Sequence, residues 1–422
     1  MATYTWGSVT LNIANGYQVI EPAPFSTPPI DAGAAILRGY WNVPGQHQRR
    51  VADLWQDVMH LRVHGTSAAD LRTKIAALQT EYQKPTNTLQ ALLAGAGEAT
   101  RTINLLGQPS MSVPVTVRRE ALHVVEVDVP LVGEPFWCGS AQSYAPAAQL
   151  FPSIFDCGTI LGDYPTPLTL EFAFAGSVHM QSIWCGRLAP GSTLIDTDLL
   201  IEGEGGTWYG ETSSDVAMTN GHDSTLPSYT ARYKIGTGYA TKYGVDQSFN
   251  PGTYLPLVRA AMENSADTGV VGFNYGFGFG QTQAVAFGPS GTTLQIKELG
   301  QVRLPNQIAR GAQQSTLRMA FNSSSAVANH GTYYDYLGLL PTSWGWFRVL
   351  QPIGAGNDLT SFRVQGDGSV FWNDVGTLTY FAGGPIEAVG PTKLAVFTEA
   401  ATLVAKHTGA CTVTYIPRYA TV

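Results

Sequence analysis

Charged residues are scarce in this sequence. Only 13% of its 422 residues are Asp, Glu, Lys or Arg, which is about half the usual fraction. This excludes a long coiled coil or a highly charged tail, because both need many ionisable side chains. The net charge of -7 argues against a nucleic-acid-binding protein, which normally carries a basic patch. Because charged side chains lie mostly at the surface, much of this surface must be neutral. A neutral surface suits a subunit buried in an assembly, although secreted β-rich lectins look similar.

Cysteines and long apolar runs are also few. None of the four cysteines forms a C-x-x-C pair, which argues against a zinc ribbon or a thioredoxin-like site. Residues 1–7 contain neither a basic segment nor an apolar core, so no secretory signal is expected. Buried free thiols are therefore predicted, with a disulfide as the alternative. No run of 18 apolar residues occurs, so no membrane insertion is expected. The cysteines are Cys138, Cys157, Cys185 and Cys411.

Glycine and proline are abundant instead, with 46 and 25 copies. Apolar residues make up an ordinary 44%, so the chain can bury a core. Many turn-forming residues with a normal apolar fraction favour strands over helices. The sequence therefore predicts a mainly β fold built of sandwiches or jelly rolls.

One stretch predicts a helix. Ser67 with Asp70 three residues later resembles a capping box, and apolar residues then recur at helical spacing up to Tyr82. The preceding stretch fits a helix or a strand. A strand over Trp55–Val63 is favoured, because residues 64–66 then turn directly into the helix. On a helix His60 and His64 could pair as metal ligands, whereas on a strand they share its polar face.

Alternating apolar and polar residues predict several strands. Residues 113–117 and 125–131 alternate in the first third, and residues 168–174 alternate next. Ile183–Arg187 is interpreted as the partner of the last of these. The strand of residues 125–131 runs into Glu134-Pro135-Phe136-Trp137, and a domain boundary is placed just after it.

Two later patterns are more specific. Val271–Phe279 is interpreted as one strand with five bulky residues on one face and mostly glycine on the other. Phe362–Val364 and Val370–Trp372 flank the sequence Asp367-Gly368, which predicts a β-hairpin with a tight turn.

Catalytic motifs are missing from the sequence. It contains no H-E-x-x-H, P-loop or G-x-S-x-G. Gly276–Gly280 has glycines at alternate positions. A dinucleotide site requires a helix directly after such glycines, and no helix pattern follows them here. Glu202 and Glu204 lie two residues apart and would share one face of a strand. They are interpreted as an exposed edge, with a calcium site and a catalytic pair as alternatives, and no metal or cofactor is predicted.

Aromatic residues provide the candidate binding site. Trp208, Tyr209 and Tyr254 lie in a Gly- and Tyr-rich middle segment. Flat aromatic faces can stack on the apolar C–H surface of sugars. These three residues are therefore candidate glycan contacts, with core packing as the alternative for each.

The order of patterns in the first third resembles a known family. Strands lead to Leu61-Arg62-Val63-His64-Gly65, a helix like Ser67–Tyr82 follows, and a later strand ends in Glu134-Pro135-Phe136-Trp137. This arrangement is similar to the distal-tail and minor-tail proteins of long-tailed, siphovirus-like phages. In that family the first domain is a β-sandwich with one helix that forms a ring at the end of the tail tube. Its closing strand typically ends in an acidic-Pro-aromatic signature.

The rest of the chain resembles the same family. Residues 156–174 look like the opening strands of its second, often galectin-like, sandwich, and Pro417-Arg418-Tyr419 looks like the close of that sandwich. Residues 254–259 and 299–305 resemble parts of a carbohydrate-binding jelly roll, and residues 335–341 look like the return to the host sandwich.

This resemblance implies a three-part organisation. Residues 1–137 would form the ring domain. Residues 138–198 with 341–422 would form the second sandwich, and residues 199–340 would be an inserted jelly roll. No catalytic residue is implied, because the family has none of its own.

The resemblance also implies a function. The chain would be a structural protein of the phage tail tip or baseplate, assembled in the host cytoplasm. Its partners would be its own copies in a hexameric ring, tail-tube and hub proteins, and host-surface glycans. The alternatives are a stand-alone carbohydrate-binding protein and a glycoside hydrolase that uses two of the middle-segment carboxylates, which are Glu202, Glu204, Asp215 and Asp223.

Overall fold

The fold is described from a computed structural model. Its described residues are 3–20, 55–92, 100–106, 115–119, 123–174, 180–192, 194, 200–202, 207–209, 216–218, 231–233, 238–243, 252–262, 268–274, 279–286, 295–304, 316–323, 332–350, 361–372, 375–376, 380–400 and 408–419. Most of these residues lie in antiparallel β-strands, and one α-helix accompanies them. The predicted mainly β, sandwich-rich fold is therefore confirmed.

The N-terminal part of the chain builds one large, nearly closed sheet. Its elements are β1 (Thr3–Trp6), β2 (Val9–Leu11), a 3-10 turn (Ile13–Asn15), β3 (Tyr17–Val19), β4 (Trp55–His64), α1 (Ala68–Tyr82), β5 (Thr86–Leu92), β6 (Arg101–Leu106), β7 (Val115–Arg119), β8 (Val124–Gly133) and β9 (Trp137–Cys138). The strand order is β2-β1-β5-β6-β8-β4-β3, with β7 beside β8. We call this sheet the first sheet.

The helix and the strands around it form as their sequences predict. The Ser67 side chain caps α1 by accepting a hydrogen bond from the Asp70 backbone N–H at 3.1 Å. The stretch before the helix is strand β4 rather than a second helix. Inward residues of β4 and β8, such as Leu61 and Val127, are fully buried. Leu78 of α1 is buried in the same core. The helix thus covers the interior of the first sheet with its apolar side.

Six described strands follow in the next segment. They are β10 (Gln142–Tyr144), β11 (Gln149–Leu150), β12 (Ser153–Ile160), β13 (Thr166–Pro167), β14 (Thr169–Phe174) and β15 (Met180–Arg187). The prediction that β15 pairs with β14 is wrong, because the two strands belong to different sheets. Their inward residues, Phe172 and Cys185 among them, meet in one core. Alternation identifies a strand and its buried face, but it does not identify the strand's hydrogen-bonding partner.

Twelve described strands lie between residues 200 and 341. They are β16 (Leu200–Glu202), β17 (Thr207–Tyr209), β18 (Val216–Met218), β19 (Ala231–Tyr233), β20 (Gly238–Tyr243), β21 (Gly252–Met262), β22 (Thr268–Asn274), β23 (Phe279–Ala286), β24 (Gln295–Glu298), β25 (Val302–Leu304), β26 (Thr316–Ser323) and β27 (Thr332–Pro341). They form two five-stranded sheets and a two-stranded one. The first and last of them, β16 and β27, are paired, with Leu200 opposite Gly338.

The prediction of a single strand over Val271–Phe279 is wrong. Strands β22 and β23 pair antiparallel, with Asn274 opposite Phe279, so the chain reverses between these two residues. Alternating glycine and aromatic residues fit a strand pattern, but glycine also favours chain reversal. The sequence pattern did not separate the two cases.

Nine described strands lie in the last segment. They are β28 (Trp346–Leu350), β29 (Ser361–Val364), β30 (Val370–Trp372), β31 (Val375–Gly376), β32 (Tyr380–Gly383), β33 (Glu387–Ala388), β34 (Gly390–Ala400), β35 (Thr408–Tyr415) and β36 (Arg418–Tyr419). The predicted hairpin is confirmed: β29 pairs with β30, and Gly368 adopts a positive φ of 88° in the turn.

Two sheets from the second and last segments pack face to face as a sandwich. One has the order β10-β35-β14-β29-β30-β31 and the other β12-β34-β15-β28-β32. Three of the four cysteines lie buried as free thiols in the shared core, as predicted, whereas Cys138 is half-buried. Burial raises the pKa of the Cys157 thiol to about 12. These thiols are therefore protonated at neutral pH and act as small apolar groups.

The stretch from 200 to 341 packs against this sandwich. Leu257 and Leu340 share a small core with Trp184 and Phe397 of the sandwich. The Trp184 indole N–H donates to Glu298 Oε1 at 2.6 Å across the same boundary. The domain limits given in the sequence analysis stay a prediction. The contacts of Leu257, Leu340 and Glu298 show which sheets touch each other.

The last strand lies where it was not expected. β36 pairs with β9 in the first sheet, with Arg418 opposite Cys138. Arg418 also forms a bridge with Tyr164 in the loop after β12, so Pro417-Arg418-Tyr419 contacts both the first sheet and the second sandwich, and its interpretation as the close of that sandwich stays a prediction. Within the described ranges, no helix is long and apolar enough to cross a membrane.

The helix cap gives a direct test of this fold. Ser67→Ala removes the acceptor for the Asp70 N–H, so the free energy of unfolding should fall by about 1 kcal/mol. Urea denaturation followed by circular dichroism measures the change. Ser143→Ala, at an exposed position of β10, is the matched control. An unfolding midpoint that shifts equally in both variants would contradict the capping role.

Candidate interaction face

The first sheet has two outer surfaces of different chemistry. Strands β1, β2, β5 and β6 form the first, since their buried residues alternate with outward ones. No outward side chain described on these strands is ionisable. We call this surface the neutral face. Its outward residues are Thr5, Thr10, Thr86, Thr88, Gln90, Leu92, Thr102, Asn104 and Leu106.

The strand register aligns the centre of the neutral face in one row. Thr5 of β1 lies opposite Thr10 of β2 on one side and Gln90 of β5 on the other. Gln90 in turn lies opposite Thr102 of β6. The inward neighbours of this row, such as Trp6 and Leu89, are almost completely buried. Four adjacent strands thus present one uncharged polar row to solvent.

Two large apolar side chains flank this row. Leu92 at the end of β5 is 49% exposed, and Leu106 at the end of β6 is 44% exposed. The two strands run antiparallel, so these leucines lie toward opposite ends of the face. An uncharged surface with exposed leucines loses little hydration energy when another protein covers it.

The outer surface of β4 and β8 is charged instead. His60 Nδ1 lies 2.7 Å from Asp128 Oδ1, and Arg62 Nη2 lies 2.9 Å from Glu126 Oε1. Each pair links directly opposite residues of the two strands. We call this surface the charged face. His60 and His64 share the outward side of β4, as expected for a strand, and His60 has an acidic partner.

A buried carboxylate holds one edge of the neutral face in place. Glu81 near the end of α1 is 3% exposed. Its carboxylate accepts hydrogen bonds from Lys84 Nζ at 2.6 and 2.7 Å, from Asn87 Nδ2 at 2.8 Å and from Ser8 Oγ at 2.5 Å. Gly7 has a φ of 56°, and a Cβ there would lie 2.0 Å from Glu81 Oε2. The β1–β2 turn can therefore approach the carboxylate only because residue 7 is glycine.

Opposing effects set the pKa of Glu81. Burial raises it, but hydrogen bonds from Lys84, Ser8 and Asn87 lower it by more, so the pKa lies below its ordinary value. A carboxyl whose pKa is lower in the folded than in the unfolded state stabilises the fold above its unfolded pKa. This stabilisation is lost as the pH falls through the folded pKa.

The predicted glycan contacts are not part of the neutral face. Trp208 and Tyr209 lie in β17, which pairs with β20, but their side chains are outside the described part of the structure. Tyr254 of β21 is 4% exposed, and burial raises its pKa to about 12. That burial fits the core-packing alternative for Tyr254. The glycan role of all three residues stays a prediction.

The acidic residues of the middle segment do not form a described site. Glu202 ends β16 opposite Tyr336, while Glu204, Asp215 and Asp223 lie outside the described residues. The interpretation of Glu202 and Glu204 as an exposed edge, a calcium site or a catalytic pair therefore stays open. Among the residues that the structure describes, no cluster of three His, Cys, Asp or Glu side chains could hold a metal ion.

Sequence reasoning did not single out the residues of the neutral face. Alternating patterns were present in Thr3-Tyr4-Thr5-Trp6 and in Thr86–Leu92. They could have identified each strand and its polar side. They could not show that these polar sides form one surface, because that depends on the order of β2, β1, β5 and β6.

Comparisons with known proteins give distant structural likenesses. No protein-family model and no curated protein matches the sequence. The solved SPP1 Dit protein, described as a paradigm of the hub adsorption apparatus in phages that infect Gram-positive bacteria, matches with a TM-score of 0.34 and 8% identity over 99% of both chains. An exo-beta-1,3-galactanase from Phanerochaete chrysosporium matches with a TM-score of 0.24 and 10% identity, over 67% of this chain and 78% of the other. At these TM-scores neither likeness establishes a shared function.

The network around Glu81 gives a stability prediction. Glu81→Gln removes the negative charge that Lys84 contacts, so the free energy of unfolding at neutral pH should fall by about 2 kcal/mol. The difference from the unsubstituted protein should shrink as the pH falls, because protonation removes the same charge there. Urea denaturation at neutral and acidic pH measures both effects.

The control for this experiment is Glu171→Gln, which removes an exposed carboxylate from β14. It should leave the unfolding midpoint almost unchanged at neutral pH. A loss of stability in Glu81→Gln that is the same at every pH would show that the charge of Glu81 is not the cause.

Proposed function

We propose that this protein is a self-assembling structural subunit of a phage tail tip or baseplate. Copies would associate through the first sheet in a ring, with six members as in the family that the sequence resembles. The ring would join tail-tube and hub proteins as part of the virion. The proposed mechanism is geometric and involves no bond making or breaking.

The neutral face is the observation that carries this proposal. Each chain has a net charge of -7, so copies repel one another at long range. A contact through Thr5, Gln90 and Thr102 buries no ionisable group and avoids the cost of desolvating a charge. A contact through the charged face would instead cover the Arg62–Glu126 ion pair and the His60–Asp128 hydrogen bond, whose groups already satisfy each other. The neutral face is therefore the better surface for self-association.

The middle segment is the proposed host-attachment part. Its ends lie together, since Leu200 pairs with Gly338. This arrangement lets residues 199–340 project from the second sandwich as an insertion without interrupting it. In the proposed tail tip, this segment would contact host-surface glycans through Trp208 and Tyr209.

Self-association can be tested with one added charge. Gln90→Lys places a cation at the centre of the neutral face, so the dissociation constant for self-assembly should rise by at least about tenfold. Analytical ultracentrifugation over a range of concentrations measures it. The unsubstituted chain should approach six times the 45.2 kDa mass of one chain.

Gln56→Lys is the matched control, because Gln56 is also an exposed glutamine but lies on β4 beside the charged face. It should assemble like the unsubstituted chain. A chain that stays monomeric at every concentration, alone and with tail-tube protein, would contradict the ring. Equal weakening by both lysines would contradict a specific role of the neutral face, because each lysine lowers the net negative charge and so reduces the long-range repulsion between copies.

Glycan binding is tested separately. The purified chain should bind polysaccharides on an array of bacterial envelope glycans, and Trp208→Ala should lower the affinity by about tenfold, since one stacking aromatic is lost. Tyr144→Ala, at an exposed aromatic residue outside the middle segment, is the control. Glycan binding by a chain that never assembles would favour a stand-alone carbohydrate-binding protein. Release of sugar that Glu202→Gln abolishes would favour a glycoside hydrolase.

A further inference from the structure

We propose that Ile416–Tyr419 is a strap that locks the second sandwich onto the first sheet, and that it can be released without unfolding either part. The strap directly follows β35, a strand of the sandwich. It then crosses to β9 of the first sheet. It is therefore held on both sides by elements far away in sequence.

The sandwich holds one side of the strap through the loop of residues 161–166. The Arg418 carbonyl accepts hydrogen bonds from the Asp163 N–H at 2.8 Å and the Tyr164 N–H at 3.2 Å. Thr166 Oγ1 donates to the Ile416 carbonyl at 2.6 Å. Gly162 has a φ of 118°, and a Cβ there would lie 2.6 Å from the Arg418 oxygen. A glycine at this position thus allows the loop to close over the strap.

The first sheet holds the other side. The Gly139 N–H donates to the Pro417 carbonyl at 2.9 Å, next to the pairing of Arg418 with Cys138. The guanidinium of Arg101, at the start of β6, lies 4.0 Å from the centre of the Tyr419 ring. This cation–π contact fixes the last described residue of the chain onto the first sheet.

The Arg418 side chain lies where the two parts meet. Its guanidinium lies 5.0 Å from the centre of the Phe136 ring, and that ring lies 4.9 Å from the ring of Tyr164. Phe136 belongs to the connection into β9, and Tyr164 belongs to the sandwich loop. Arg418 Nη1 also donates to the Pro165 carbonyl at 3.3 Å. One side chain therefore contacts both parts.

The strap contacts are few compared with the cores on either side. The first sheet and the sandwich each have a separate buried core. The buried residues of these two cores do not include the strap residues. Tyr419 of the strap is partly buried and packs against the core of the first sheet. Parts that have independent cores and are joined by a few hydrogen bonds and ring contacts can open separately. In the proposed tail role, the strap would hold the sandwich and its insertion at a fixed angle to the ring, a consequence that rests on the proposed function.

Hydrogen–deuterium exchange on the full chain tests the strap. Arg418→Ala should speed exchange of peptides containing Gly139, Asp163 and Tyr164 by about tenfold, because a cation–π contact and a hydrogen bond are lost. Peptides from β8 and from β34 should exchange as before. A chain that ends at Ile416 should show the same local pattern more strongly.

Arg363→Ala is the matched control. The guanidinium of Arg363 also lies 5.0 Å from a phenylalanine ring, that of Phe371, but within the sandwich hairpin. The Arg363→Ala variant should leave hydrogen exchange at the backbone amides of Gly139, Asp163 and Tyr164 as slow as in the unsubstituted chain. The proposal would be overturned if amide exchange at Gly139, Asp163 and Tyr164 were unchanged in both Arg418→Ala and the chain that ends at Ile416. It would also be overturned if exchange became faster evenly over the whole chain. The measurement uses unassembled protein, so its result does not depend on whether the neutral face drives ring formation.

Discussion

The pairing of β4 with β8 is the constraint on which the first sheet depends. The two strands match residue for residue from Trp55 opposite Gly133 to His64 opposite Val124. Because side chains alternate, this one register sends Leu61 and Val127 into the core. The same register brings Arg62 beside Glu126 on the outer surface. A slip by one residue would bury the charges and expose the core.

The structure shows where the charged and the uncharged side chains lie on the first sheet. On the first sheet, charged residues are concentrated on the outer side of β4 and β8, where they pair with each other. The neighbouring strands β1, β5 and β6 carry threonine, glutamine and asparagine outward. The carboxylate of Glu81 is buried and accepts a hydrogen bond from Ser8 in the β1–β2 turn, so this charge does not lie at the surface. The low charge count therefore reflects an uneven surface: the outward side chains of β1, β2, β5 and β6 are uncharged, and the Glu134 carboxylate lies beside them, where it accepts a hydrogen bond from Asn104 at 2.8 Å.

Among the described residues, two junctions between neighbouring groups of sheets differ in character. The middle segment meets the sandwich through a small apolar core in which Leu257 and Phe397 take part. A carboxylate from Glu298 adds a hydrogen bond to Trp184 there. The first sheet meets the sandwich through backbone hydrogen bonds, the Arg418 side chain and the contact between the Phe136 and Tyr164 rings. Apolar burial opposes separation strongly, whereas a junction of a few hydrogen bonds and ring contacts opposes it less.

The sequence by itself determined the elements whose pattern is local. Ser67 and Asp70 defined the start of the helix, and alternation defined β8 and β14 and the face that each buries. Asp367-Gly368 defined a hairpin, because a tight turn needs only adjacent residues. Tertiary structure alone decided which strands pair, since β14 and β15 proved to face each other across a core. It also decided that the outward threonines form one surface and that Arg418 reaches the first sheet. These features depend on contacts between residues far apart in the chain, and a single sequence read locally carries no signal for such contacts.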